Sequence, residues 1–193
     1  MSASPTNQDL IDFVLNEARL LDALRFEAWL DLFTEDAIYW MPLAHDQQDA
    51  KLHASLMHED KLLLKVRVQR LGGDRTFSQQ PRSRCHHLLQ QPTVESRDDA
   101  AGVYTTRTAF HYVETRLDAQ QLYAGWATHT LVWDGASVAA TATAATPATP
   151  ATPAIPAIPA APAAPAAPTL RIRLKRVDLV NCDAAFGSIQ LFM

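Results

Sequence analysis

Residues 22–43 read DALRFEAWLDLFTEDAIYWMPL, and this stretch decides the fold class. Phe26, Leu30 and Phe33, with Trp29 beside them, recur at helical spacing and predict a short amphipathic helix from about Arg25 to Phe33. Thr34, Glu35 and Asp36 then interrupt the apolar pattern. From Ala37 to Leu43 the residues are aromatic and aliphatic, which predicts a strand around Ile38 to Met41 that leaves at Pro42. The unit is made for packing and holds no obvious catalytic group.

Upstream, Thr6 or Asn7 is placed to cap a helix carrying Leu10, Phe13, Val14, Glu17, Leu20, Leu21 and Leu24. Downstream comes a polar segment with His45, His53 and His58. Residues 60–71, DKLLLKVRVQRL, are ambiguous. Leu62, Leu64, Val66 and Val68 alternate as in a strand, while Leu64, Val68 and Leu71 fit a helix equally well. From Arg84 onward the chain predicts strands over Cys85–Val94 (limited by Pro92), Val103–Arg116, Leu122–Trp133 and Leu170–Val180. Helices first and long strands with short links afterwards predict an α+β domain, with helices on one side of a curved, mainly antiparallel sheet.

Between Val138 and Leu170 eight prolines recur at every third position from Pro147 to Pro168. Proline fixes φ and removes ladder donors, so polyproline II is the natural local conformation. Only about 25 residues follow, too few for a second core. The tail must therefore return to the main domain as the partner of Leu122–Trp133, with Asp134-Gly135 as the underlying turn. A straight rod of this length would span roughly 70 Å, whereas paired strands lie about 5 Å apart. The whole chain, residues 1–193, is thus expected to form one domain, with 139–168 a disordered Ala/Pro/Thr-rich insertion in the last long hairpin.

Composition narrows the function classes. The net charge of −4 gives no reason to expect a nucleic-acid partner. Basic residues gather at Lys61–Arg84 and Arg171–Arg176, which most simply are solvated faces. Two distant cysteines make no disulfide scaffold. The opening MSASPTNQDL lacks a basic and apolar leader pattern, and no apolar run is long enough to cross a bilayer, so a cytoplasmic location is expected.

No nucleophile elbow, phosphate loop or dinucleotide fingerprint is present. Cys85-His86 and Cys182 do not supply the ligand spacing of a Rieske cluster, and thiolates are too few for a cysteine zinc site. Adjacent His86 and His87 must point to opposite faces of a strand. His58-Glu59-Asp60 reads as a solvated polar loop. Tyr39, Asp36, His86 and His111 are the residues that a cone-shaped α+β fold would need to gather for acid–base work.

RLLDALRFEAWLDLFTEDAIYWMPL, MHEDKLLLKVRVQRL, PRSRCHHLL and LKRVDLVNCDAAFGSIQLFM follow one another in this order. The combination resembles the small (beta) subunits of bacterial aromatic-ring-hydroxylating dioxygenases. The resemblance implies the cone-shaped, cystatin-like fold of the nuclear transport factor two superfamily, and a helix over Asp60–Leu71. It implies a non-catalytic, structural subunit in aromatic hydrocarbon catabolism, with no cofactor or metal of its own. The Rieske 2Fe-2S cluster and mononuclear Fe(II) would belong to a large (alpha) subunit, in a hexamer of three large and three small subunits. The proline tract is outside the family pattern. On this reading Arg67, Arg70, Arg84, Tyr39 and Trp40 are the interface candidates, because aromatics and arginine are enriched at interface cores. The rival readings are a stand-alone cone enzyme of dehydratase, isomerase or hydrolase type, and a small apolar ligand-binding module.

Overall fold

The computed structural model describes residues 4–72, 80–135, 169–185, 189 and 191–193. The elements are α1 (Asn7–Asp22), α2 (Phe26–Leu30), β1 (Phe33–Pro42), β2 (Ser55–Asp60), α3 (Lys61–Gly72), β3 (Arg84–Leu89), β4 (Thr93–Asp98), β5 (Val103–Arg116), β6 (Ala119–Trp133) and β7 (Leu170–Leu179). They build a seven-stranded sheet in the order β2-β1-β7-β6-β5-β3, with β4 also on β5. Every pairing is antiparallel except β1 with β7. The fold is the α+β cone predicted, a strongly curved open sheet closed over by helices.

Local chemistry explains the elements. Thr6 Oγ1 accepts from the Asp9 amide at 3.2 Å, and Asp9 Oδ2 accepts from the Thr6 amide at 2.7 Å, a reciprocal capping box that starts α1. Leu10, Val14, Ala18 and Leu21 give α1 its buried stripe, and Glu17 lies on the same stripe. α2 follows after only Ala23–Arg25 and is shorter than predicted.

Two expectations change here. Thr34–Asp36 do not end an element: β1 already begins at Phe33, and five residue steps of β1, Phe33 to Ile38, pass opposite two of β7, Ile172 to Leu174. The polar run is a bulge that bends the strand. His58-Glu59-Asp60 is not a loop but the end of β2, where His58 pairs with Trp40 across the ladder. Glu59 forms an ion pair with Arg67, and Asp60 Oδ1 accepts from the Leu63 amide at 2.8 Å as the cap of α3.

The ambiguous segment is a helix, α3, burying Leu64 and Val68 and leaving Leu62, Leu63 and Val66 exposed. Cys85–Val94 divides into two strands, β3 and β4, lying end to end along the same edge of β5. Pro92, without an amide hydrogen, lies in the gap between them. The tail returns as β7 beside β6, with Trp133 opposite Leu170. Asp134 Oδ1 accepts from the Thr169 amide at 2.5 Å, closing that hairpin across its base. The insertion expected at 139–168 lies outside the described residues.

Inside the cone, Trp29 stacks on Phe192 at 4.3 Å and meets Phe33 edge-on at 4.8 Å. Leu191, Phe192 and Met193 are buried in this aromatic core. The Tyr39 hydroxyl donates to the Met193 carbonyl at 2.9 Å and accepts from its amide at 3.2 Å.

Candidate functional site

The four residues proposed for acid–base work do not converge. Tyr39 is in the aromatic core, Asp36 is exposed on the β1 bulge, and His111 takes the outer parity of β5. His86 and His87 diverge as predicted, with 73% and 3% of their side chains exposed. Both nevertheless reach Asp22 at the end of α1: His87 Nδ1 lies 2.6 Å from Oδ1 and His86 Nδ1 lies 3.2 Å from Oδ2.

A different polar group converges inside. Glu17 Oε1 accepts from Lys175 Nζ at 2.5 Å and from Trp29 Nε1 at 2.8 Å, while Oε2 faces His129 Nε2 at 3.1 Å. Glu17, Lys175, His129 and Trp29 are all buried. Burial by itself raises the Glu17 carboxyl, but the Lys175 ammonium and the His129 ring overcome it and hold the group far below the usual carboxylate range. Burial draws the Lys175 ammonium below its ordinary value against the pull of Glu17. The carboxylate direction governs the pair, because three donors point at its two oxygens. Burial and the nearby Asp22 push the Cys85 thiol up to about 12, so it stays protonated and is no nucleophile at neutral pH.

Part of the outer side of the sheet is apolar. Leu88, Phe110, His111, Gly125, Trp126 and Val180 are among the lining of an open groove of about 520 Å³ across β3, β5 and β6. Leu88 is 63% exposed and Leu122, on the same sheet, 64%. Arg107 lies over the Trp126 ring at 5.2 Å. A second apolar patch, Leu62, Leu63 and Val66, stands on the outer face of α3.

A family model described as ring hydroxylating beta subunit matches residues 16–143. The chain belongs to that family. The benzene 1,2-dioxygenase subunit beta of Pseudomonas putida is 30% identical over 138 residues, covering 67% of this chain and 73% of the relative. The beta subunit of benzoate 1,2-dioxygenase from Burkholderia mallei has the same fold, with a TM-score of 0.62 at 24% identity over 94% of both chains. An NTF2-like protein with a cystatin-like fold from Novosphingobium aromaticivorans has a TM-score of 0.52 at 12% identity, over 90% of this chain and 81% of that one.

For a ring hydroxylating beta subunit the interface candidates now have positions. Tyr39 has no accessible surface, and Trp40, at 7%, is covered by the Arg176 guanidinium 4.4 Å from its ring centroid. Both aromatics serve the interior of this chain. Arg67 is half-buried against Glu59, whereas Arg70 and Arg84 are exposed. The exposed Leu88 and Leu122 were not singled out from the sequence. Their shared outward side is legible only once the sheet has a defined inside.

The donor set for an iron–sulfur cluster is not assembled in this beta subunit. Cys85 Sγ faces the Leu21 carbonyl at 3.5 Å, and Cys182 is buried after β7. Among the described residues, His45, Cys182 and Asp183 bring three donor atoms within 4.8 Å, with two of the three exposed. A Rieske centre needs two thiolates and two imidazoles, which this group does not offer.

Proposed function

We propose that this chain is the non-catalytic small subunit of an aromatic-ring-hydroxylating dioxygenase, whose role is to offer surface to a metal-bearing large subunit. The Rieske 2Fe-2S cluster and mononuclear Fe(II) belong to that large (alpha) subunit, and three large and three small chains form the hexamer. The assembly dihydroxylates an aromatic compound for catabolism in the cytoplasm. Membership of the beta-subunit family is the observation that carries this reading. Two apolar patches on different sides of the chain support it, because a subunit of such a hexamer has more than one neighbour. The expected contacts centre on Trp126, Leu88 and Leu122, with Arg70 and Arg84 as polar contributors and Arg67 held in reserve by Glu59.

The test is co-expression with a Rieske-type large subunit. Unaltered chain should co-purify as a stable hetero-oligomer that turns over an aromatic substrate. Leu88→Lys with Trp126→Glu should retain the circular dichroism of the parent and lose co-purification. A double variant that assembles normally removes the sheet groove from the interface. Catalysis by the isolated chain would overturn the reading itself.

A further inference from the structure

The cone interior contains a small enclosed cavity between α1 and the sheet. Val14, His87, Thr108, Phe110, His129 and Lys175 are among its lining, and it leaves about 10 Å³ for the centre of a water-sized molecule. That is the space of one water and far below the several hundred Å³ typical of ligand pockets. Three of the lining residues carry buried polar atoms with no partner among the described residues: His87 Nε2, Thr108 Oγ1 and His129 Nδ1. A buried polar atom left unpaired costs about 1–3 kcal/mol, so three around one cavity indicate a shared partner.

The two rings dictate what that partner must be. His87 Nδ1 lies 2.6 Å from Asp22 Oδ1, and an ionised carboxylate only accepts, so the ring proton sits on Nδ1. In the neutral ring Nε2 then presents a lone pair. His129 is oriented the other way round. Its Nε2 faces Glu17 Oε2 at 3.1 Å and carries the proton, which leaves the lone pair on Nδ1. The residues around the cavity therefore offer two acceptors from imidazole and one hydroxyl donor from Thr108. A molecule with two donors and an acceptor, small enough for this space, is water.

We propose that the cone interior is a built site for one water molecule, which donates to His87 Nε2 and His129 Nδ1 and accepts from the Thr108 hydroxyl. The water joins β3, β5 and β6 to the two carboxylates of α1 through the imidazoles. The inference rests on the interior alone and stands whether or not the chain docks a large subunit.

Thr108→Val in the full chain tests it by the sign of a shift. If the water is bound, valine removes its donor and the melting temperature falls by about 2–4 °C. If the cavity is dry, valine removes an orphan hydroxyl at nearly constant shape, and the melting temperature holds or rises. Thr106 supplies the internal control: its hydroxyl is also buried without a partner, but the residue is outside the cavity lining. Thr106→Val should hold or raise the melting temperature. Equal effects of the two substitutions overturn the proposal. Nitrogen-15 spectra of the histidine rings add an independent readout, expected to give the Nδ1–H tautomer at His87 and Nε2–H at His129. The opposite tautomer at either ring overturns the arrangement.

Discussion

Lys175→Met isolates the electrostatics of the interior. The substitution keeps much of the side chain's length and apolar stem but removes the ammonium 2.5 Å from Glu17, both side chains being only 3% exposed. Breaking a buried pair by removing one partner costs about 3–5 kcal/mol, because the other charge is stranded. For a chain of this size each kcal/mol moves the melting temperature by about 2–4 °C, so the expected fall is about 6–20 °C at neutral pH. The pH dependence identifies the cause. With Lys175 present, the folded-state carboxyl lies below its ordinary 4.5. Its contribution is present above that value and is lost as pH falls through the depressed folded value. Without the ammonium, burial is opposed only by His129 and Trp29 and should raise the carboxyl from its depressed value, so the variant should regain stability as falling pH protonates Glu17. Thermal denaturation followed by circular dichroism should therefore show the largest gap between parent and variant at pH 7, closing toward pH 5. Adding Glu17→Gln should recover part of the loss at pH 7. A small gap that does not change with pH, or no recovery in the double variant, would refute the reasoning.

Three further outcomes follow from the packing. Gly125 is needed for its missing side chain: a Cβ there would overlap the Asp178 carbonyl oxygen and sit 3.0 Å from its carbon, so Gly125→Ala should destabilise by about 1–3 kcal/mol in urea titrations. Tyr39→Phe strips the Met193 amide and carbonyl of their hydroxyl partner and should cost about 1–3 kcal/mol, with faster hydrogen exchange at Met193. Removing residues 139–168 and joining the hairpin with a short turn should leave the far-ultraviolet spectrum and melting temperature unchanged, because Asp134 and Thr169 already close its base; an insoluble product would count against this.

The sequence was most readable where structure is local or strictly periodic. The capping box at Thr6 involves residues three apart, and β5 shows its alternation over Val103–Arg116 without a break. The Thr34–Asp36 run was visible as an interruption, but only pairing with β7 reveals a bulge rather than a turn. SLMHED in β2 is poor in β-branched residues, so its strand state comes from the neighbouring β1. The buried ion network joins Glu17 to His129 and Lys175 across 112 and 158 positions, which no local pattern can encode. The available clue was a glutamate on an otherwise apolar helical stripe. Tyr39 and Trp40 lie where β1, from Tyr39 to Pro42, is buried on both faces, so aromatic content alone is a poor guide to what a partner sees.

The distribution of polarity also bears on the rival enzymes. A stand-alone catalyst on this cone needs titratable groups around a cavity that admits an organic substrate. Among the described residues, the buried titratable cluster and the open groove are on opposite sides of the sheet. Glu17, His87 and His129 surround space for about one water, and their carboxylate–imidazole contacts are internal. The large groove lies outside, where Leu88, Trp126 and Val180 leave His111 as the lone titratable residue of its lining. Sequence order makes this separation hard to undo. In β5 the residues alternate sides, so Thr108 and Phe110 face inward while His111 faces out, and a one-residue slip would expose the whole core face. Opening the interior to a substrate would instead require truncating Phe110 or Leu89 beside the histidine pair, at the cost of the packing that holds α1 to the sheet. The fold as built uses Glu17, Asp22, His87 and His129 to hold α1 to the sheet.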